Sequence, residues 1–262
     1  MIQPTIGLSM LHRLGDPFDE GIKDVLKRDI KFIEVVDEGL HALNKRRVSK
    51  LLDLSKSYDL KFSVHAPYAD INIASPSKSI LRAMVKRLLA SLVNAHFLEA
   101  RLWILHPGIE TGVSMFYPNF CWTQNIKTVE LLCKAAKDYG VNVAIENLPE
   151  PYPFLMKSVE HFQKFYEDFK ADYNLGLVLD VGHANLNGQI ELFMEKFSDK
   201  LVHIHAHDND GKEDLHLGIG RGTVNWKSFA ETLEKISYSG AVVVESTEHV
   251  TESLHELEKL LL

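Results

Sequence analysis

Eight short apolar runs, PTIGL, KFIEVV, KFSVH, RLWILH, VNVAIE, LGLVLD, KLVHIH and GAVVVE, recur at roughly regular intervals along the chain. Each is rich in Val, Ile and Leu and nearly continuous in hydrophobicity, the pattern of a strand covered on both faces. Between them, segments such as VSKLLDLSKSYDL, SILRAMVKRLLASLVNAHFLEA and TVELLCKAAKDYG return an apolar residue every three or four positions, which predicts helices. Eight alternations of strand and helix within 262 residues point to an α/β fold, a single (β/α)8 TIM barrel, for which that length is typical. An open doubly wound sheet shares the alternation, but no G-x-G-x-x-G follows the first strand. No linker or charge block interrupts the pattern, so residues 1–262 are expected to form one domain.

Composition narrows the function classes. A hydrophobic share of 45% with 25% charged residues is that of a folded globular chain. The formal net charge of −7 offers no overall basic surface to a polyanion. MIQPTIGLSM lacks the basic segment and long apolar stretch of a secretory leader, and no uncharged apolar run approaches a membrane span. A soluble, cytoplasmic protein with no membrane partner is expected; oligomeric state is left open. The two cysteines, Cys121 and Cys133, form no CxxC, and Cys133 sits inside a helical pattern.

The polar residues lie at the strand ends. The third run ends in His65, the fourth in His106, the fifth in Glu146, the sixth in Asp180 with His183 close behind, the seventh in His205 and the eighth in Glu245. In a TIM barrel those ends converge on one mouth, where active sites are built. The stretch HIHAHDNDGKEDLHLGIG, from 203 to 220, crowds further imidazoles and carboxylates just beyond the seventh strand, and Asp214 and His216 are within reach of the same mouth. So many carboxylates gathered together would be costly without a cation. Mixed imidazole and carboxylate without thiolate suits zinc, manganese, iron or cobalt rather than calcium, with Zn2+ or Mn2+ foremost and one to three ions per chain.

With VHAPY, HPG, IEN, LDVGH, HAHD, DLH and VVES in this order, the chain resembles the xylose-isomerase-like TIM-barrel superfamily, which holds both sugar isomerases and epimerases and the endonuclease IV family of abasic-site nucleases. The resemblance covers most of the chain and is strongest from the third strand onward. Its isomerase and epimerase branch implies one divalent ion on Glu146, Asp180, His205 and Glu245, with Glu146 and Glu245 passing a proton between neighbouring carbons through an enediolate. Its endonuclease IV branch implies three zinc ions on all nine positions (His65, His106, Glu146, Asp180, His183, His205, Asp214, His216 and Glu245), with Glu146 bridging a pair, for cleavage of abasic DNA. All nine positions match, which favours phosphoester chemistry; the alternative for His65, His106, Asp214 and His216 is to orient other ligands or bind substrate hydroxyls.

The first two strand ends favour the sugar branch. GLSML and FIEVVDEG are similar to the epimerases, and Asp37 and Glu38 stand where the nucleases carry a DNA-reading loop. Lys45, Arg46 and Arg47 follow but read as the solvated first turn of a helix. Tyr68, Asn147, Trp122 and Arg221 are the expected substrate contacts. Trp122 belongs with Phe116, Tyr117 and Phe120 to an aromatic group that forms either a wall for a small substrate or the packing of its own loop. Gly218, Gly220 and Gly222 around Arg221 read as an anion-approaching turn or simply a tight one, and Gly211 stands where some ketose epimerases carry an arginine. The expected function is a metal-dependent sugar or sugar-phosphate isomerase or epimerase. The alternatives are an endonuclease IV-like phosphodiesterase on abasic DNA and a metal-binding protein without catalysis.

Overall fold

The apolar runs become strands almost residue for residue. In the computed structural model, which describes residues 3–261, the strands are β1 (Thr5–Ser9), β2 (Phe32–Val36), β3 (Lys61–His65), β4 (Trp103–Leu105), β5 (Val143–Glu146), β6 (Leu175–Asp180), β7 (Leu201–Ala206) and β8 (Ala241–Val244). Each pairs in parallel with the next and β8 pairs with β1, so the sheet closes on itself as a TIM barrel. The helices between them are α1 (Phe18–Leu26), α2 (Lys45–Tyr58), α3 (Lys78–Phe97), α4 (Phe120–Tyr139), α5 (Val159–Asp168), α6 (Val181–Asn185), α7 (Ile190–Lys196), α8 (Trp226–Lys235) and α9 (Val250–Leu261). Among the described residues no helix is long and apolar enough to cross a membrane. Cys121 and Cys133 are both free and buried.

Two-residue alternation decides what each strand gives to the inside of the barrel and what it gives to the helices. Ile33 and Val35, Trp103 and Leu105, Val143 and Ile145, and Val242 and Val244 join the large core between sheet and helices. Their neighbours Ile104, Ala144 and Val178 form a small separate cluster with Leu102, and Phe32, Ala241 and Val243 another. These fill the barrel as side-chain layers. Continued one step toward the C-terminal end, the same inward-facing series reaches Glu34, His65, Glu146, Asp180, His205 and Glu245. The fold therefore sets a ring of donors on an apolar plug.

The register of β7 has one irregularity. Leu177 pairs with Leu201, but Val178 pairs with His203, so Val202 is left without a partner on β6. Val202 is 42% exposed while His203 and His205 are buried. Beyond β7, the loop to α8 is tied by Asp208, a fully buried carboxylate. Its Oδ1 accepts from the backbone N–H groups of Asn209 (2.9 Å) and Val224 (3.1 Å), and its Oδ2 from Gly220 N–H (3.1 Å) and the Trp226 indole (2.9 Å). Gly222 lets the loop close: a Cβ there would stand 2.1 Å from Asn209 O.

Candidate metal centre and active site

The strand ends deliver their side chains to a few shared points. One donor atom each from Glu146, Asp180, His205 and Glu245 lies within 4.8 Å of the others, and so does one each from His65, His106 and Glu146. A third group, at the rim, joins His183, Asp214 and His216 with His207, which the sequence reading passed over. All nine expected ligand positions are thus brought to one end of the barrel.

Glu146 is the hinge of the arrangement. Its Oε2 lies 3.3 Å from His65 Nε2 and 3.1 Å from His106 Nε2, and its Oε1 lies 3.0 Å from His205 Nδ1. Below it, inside the barrel, Glu34 is completely buried and accepts a 2.9 Å bond from Ser63 Oγ. Glu34 also contacts His203 Nε2 at 2.9 Å and His205 Nε2 at 3.0 Å, both pairs out of line for a hydrogen bond and so ionic contacts. Neither Glu34 nor His203 was expected from sequence. A charged residue in the middle of FIEVV, flanked by apolar neighbours that face the helices, is the signal that marks Glu34.

The electrostatics follow from burial against paired charge. For Glu146, burial opposes ionisation, but His205 and His106 outweigh it and hold the carboxyl well below its usual range. For Glu245, burial pushes the pKa up; His205 counters it, and nearby Glu34 and Glu146 add to the rise. Burial works against charge on His65, His183 and His216, yet their carboxylate neighbours prevail: Glu146 lifts His65 to about 9, Asp180 and Asp214 lift His183 to about 10, and Asp214 lifts His216 to about 9. His106 is pushed down, chiefly by burial.

The donors fit divalent ions. His65 Nδ1 faces Ala66 O at 2.9 Å, His183 Nδ1 faces Asn147 O at 2.8 Å and His216 Nδ1 faces Glu245 O at 3.0 Å. A carbonyl only accepts, so each Nδ1 carries the hydrogen and each Nε2 is directed at a carboxylate, the arrangement by which backbone partners orient metal-ligating histidines. Asp214 Oδ1 is buried with no hydrogen-bond partner. A cation between these groups would satisfy both sides.

Above this floor opens a cavity of about 550 Å³, lined on its walls by residues such as Leu14, Tyr68, Ile109, Leu148, Tyr152 and Phe154. No lysine or arginine is among its lining residues. Tyr68 stands edge-on to His65 with ring centres 5.3 Å apart, and its backbone N–H is held by Glu38 Oε2 at 3.0 Å. Asp37 is buried against Arg87, 2.7 Å away, so of the acidic pair that opens the loop after β2 one is paired internally and the other anchors Tyr68.

Three expected substrate contacts do not reach the cavity. Asn147 is fully buried, with Nδ2 donating to Asp180 O (3.0 Å) and Oδ1 accepting from Asp180 N–H (2.7 Å), so both ends of its amide join β5 to β6. Trp122 lies inside α4, which begins eight residues before the expected TVELL segment, and its indole donates to Asp168 Oδ2 at 2.8 Å. Arg221 is exposed in the β7–α8 loop, with its backbone N–H donating to Gly218 O. Phe116, Tyr117 and Phe120 line a separate surface depression with Lys127.

The chain is thus a closed parallel barrel with histidines and carboxylates gathered at its C-terminal mouth. Residues 22–261 match the xylose isomerase-like TIM barrel family (AP endonuclease family 2), and the chain belongs to that family. An uncharacterized protein of Methanocaldococcus jannaschii, MJ1311, is 30% identical over 94% of this chain and 85% of its own length. Among solved structures, a D-tagatose 3-epimerase-like protein superposes with a TM-score of 0.90 at 27% identity, covering 97% of this chain and 96% of the other. The D-allulose 3-epimerase of a Methylomonas species, in complex with D-allulose, superposes at 0.81 with 18% identity, covering 100% and 98%.

Proposed function

We propose that the protein is a divalent-metal-dependent epimerase or isomerase of neutral sugars. The observation that carries this is the cavity: an imidazole and carboxylate floor under apolar and aromatic walls, with no lysine or arginine in its lining. A sugar offers hydroxyls to the floor and C–H faces to such walls. A phosphate group or a DNA backbone would find no lysine or arginine there to receive it. The likeness to a D-tagatose 3-epimerase-like protein supports the same reading. The nine-donor set speaks for the nuclease alternative, but the charge of the lining and the net charge of −7 speak against it.

Glu146, Asp180, His205 and Glu245 would hold the working ion, which when bound supplies Lewis acidity toward adjacent sugar oxygens. Glu146 on β5 and Glu245 on β8 stand three strands apart around the mouth and flank the substrate carbon from two sides. One carboxylate removes the carbon-bound proton, and the other returns a proton to the opposite face to invert that carbon. Delivery to the neighbouring carbon gives isomerisation instead. His65 and His106, both against Glu146 Oε2, hold that carboxylate in its rotamer.

The test is to incubate the protein with D-tagatose, D-fructose and D-allulose in D2O with Mn2+ or Zn2+, follow exchange beside the carbonyl by NMR, and run a nicking assay on abasic DNA in parallel. Exchange with a ketose, reduced by roughly 10²–10⁴-fold in Glu146→Gln and in Glu245→Gln, is expected. Nicking without exchange on any ketose would overturn the proposal.

A further inference from the structure

The geometry points to His207 as the fourth donor of a closed, structural metal site with His183, Asp214 and His216, separate from the set that would work on substrate. The family resemblance supplies three of these residues; His207 is what the structure adds. One donor atom from each of the four lies within 4.8 Å of the others.

Four features converge on that point. His183 Nε2 and His216 Nε2, whose hydrogens are on the other ring nitrogen, face Asp214 Oδ2 at 3.2 and 3.5 Å. In the neutral rings these Nε2 atoms turn a lone pair to the carboxylate, so a second proton or a cation has to stand between, and a metal ion takes the place of both protons at once. Asp214 Oδ1, buried and without a hydrogen bond, lies 3.8 Å from His207 Nε2. The His207 and His216 rings are stacked with centroids 3.8 Å apart at 15°, and one nitrogen of each lies within 4.8 Å of the other donors. Finally, His207 occupies room that exists only because residue 182 is glycine: a Cβ there would lie 2.0 Å from His207 Cε1.

Three imidazoles and one carboxylate fill a tetrahedral zinc site, leaving no position for water or substrate, as in structural sites. The donors come from α6 (His183), the end of β7 (His207) and the loop that follows (Asp214 and His216). The ion therefore clasps that loop to the barrel rim, at the edge of the cavity whose lining includes His183, Asp214 and His216. His207 Nε2 also lies 3.0 Å from Asp180 Oδ1, which defines the competing role of orienting Asp180.

The test is metal counting on apo-protein reloaded with Zn2+ and dialysed, together with visible absorption of the Co2+-loaded form, in which four-coordinate cobalt gives intense bands. His207→Asn should lose one equivalent and the four-coordinate cobalt bands. His216→Asn, at a rim side chain 20% exposed, should do the same and guards against misfolding of the first variant. Glu245→Gln should lose a different equivalent and keep those bands. A full count with unchanged bands in His207→Asn would overturn the inference, as would loss from His207→Asn of the same ion that Glu245→Gln releases. Sugar exchange plays no part in this readout, so failure of the proposed function would leave the clasp standing, and the reverse.

Discussion

Asp208→Asn should destabilise the protein far more than its isosteric shape suggests. Each carboxylate oxygen of Asp208 receives two donors, at 2.9 and 3.1 Å on either side. In asparagine one oxygen becomes an NH2 group, so two N–H donors face a donor, in a pocket where Asp208 is fully buried. At about 1.5–3 kcal/mol for each hydrogen bond to a charged group, the loss is about 3–6 kcal/mol. The remaining two bonds also weaken with the charge. For a chain of this size about 4 kcal/mol corresponds to a fall in Tm of about 8–16 °C. Urea unfolding of the metal-free protein, followed by circular dichroism, measures this without a contribution from bound ions. A change below about 1 kcal/mol would refute the view that one carboxylate organises the whole loop.

Asp24 receives hydrogen bonds from Arg13, His12 and Arg28; burial opposes its ionisation, but these partners outweigh burial and hold the carboxyl far below its usual range. Its stabilisation is therefore complete above the unfolded-state pKa of roughly 4 and fades as pH falls below it. Asp24→Asn should cost about 1–3 kcal/mol at pH 7, with the gap to wild type narrowing by pH 3 in urea titrations; a gap independent of pH would show the ion pairs to be idle. Gly182→Ala forces its methyl into the His207 ring and should cost about 1–3 kcal/mol in a melt, together with one metal equivalent by elemental analysis. Tyr68→Phe keeps the ring on His65 and removes only the hydroxyl; stability should hold within about 0.5 kcal/mol. If that hydroxyl anchors substrate, KM rises about 3–10-fold with kcat little changed, and a fall in kcat alone would assign it elsewhere.

The strands were legible because burial on both faces leaves an unbroken apolar signature, and the polar residue at each strand end stands out against it. His65, His106, Glu146, Asp180, His205 and Glu245 all announce themselves in this way. Glu34, two residues short of the end of β2, is hidden because a single charge in an apolar run also describes a strand with one solvated face. Only closure of the barrel shows that this face turns inward. His203 and His207 were visible as histidines, but spacing alone did not say that alternate positions of β7 and its extension share one face. Trp122 was misplaced for a different reason. With Asn119 in a left-handed conformation, α4 starts at Phe120, and a helix turns Trp122 toward α5 rather than the mouth. Asn147 shows the limit of reading from adjacency: it follows Glu146 in sequence, but its amide satisfies backbone groups that would otherwise be unpaired.

The unpartnered Val202 in β7 gives the gene an unusual point of sensitivity. His203 and His205 descend one face of the strand and His207 continues past its end, serving in turn the barrel interior, the central donor set and the rim group. Their shared phase relative to β6 depends on that one extra residue. An in-frame loss of its codon would leave the length of the barrel almost unchanged and every histidine in the chain. The segment would then have to choose between its pairing with β6 and its inward face, because a one-residue slip exchanges the two sides of a strand. A mutation that removes a solvent-facing valine would thus act on three imidazoles at once.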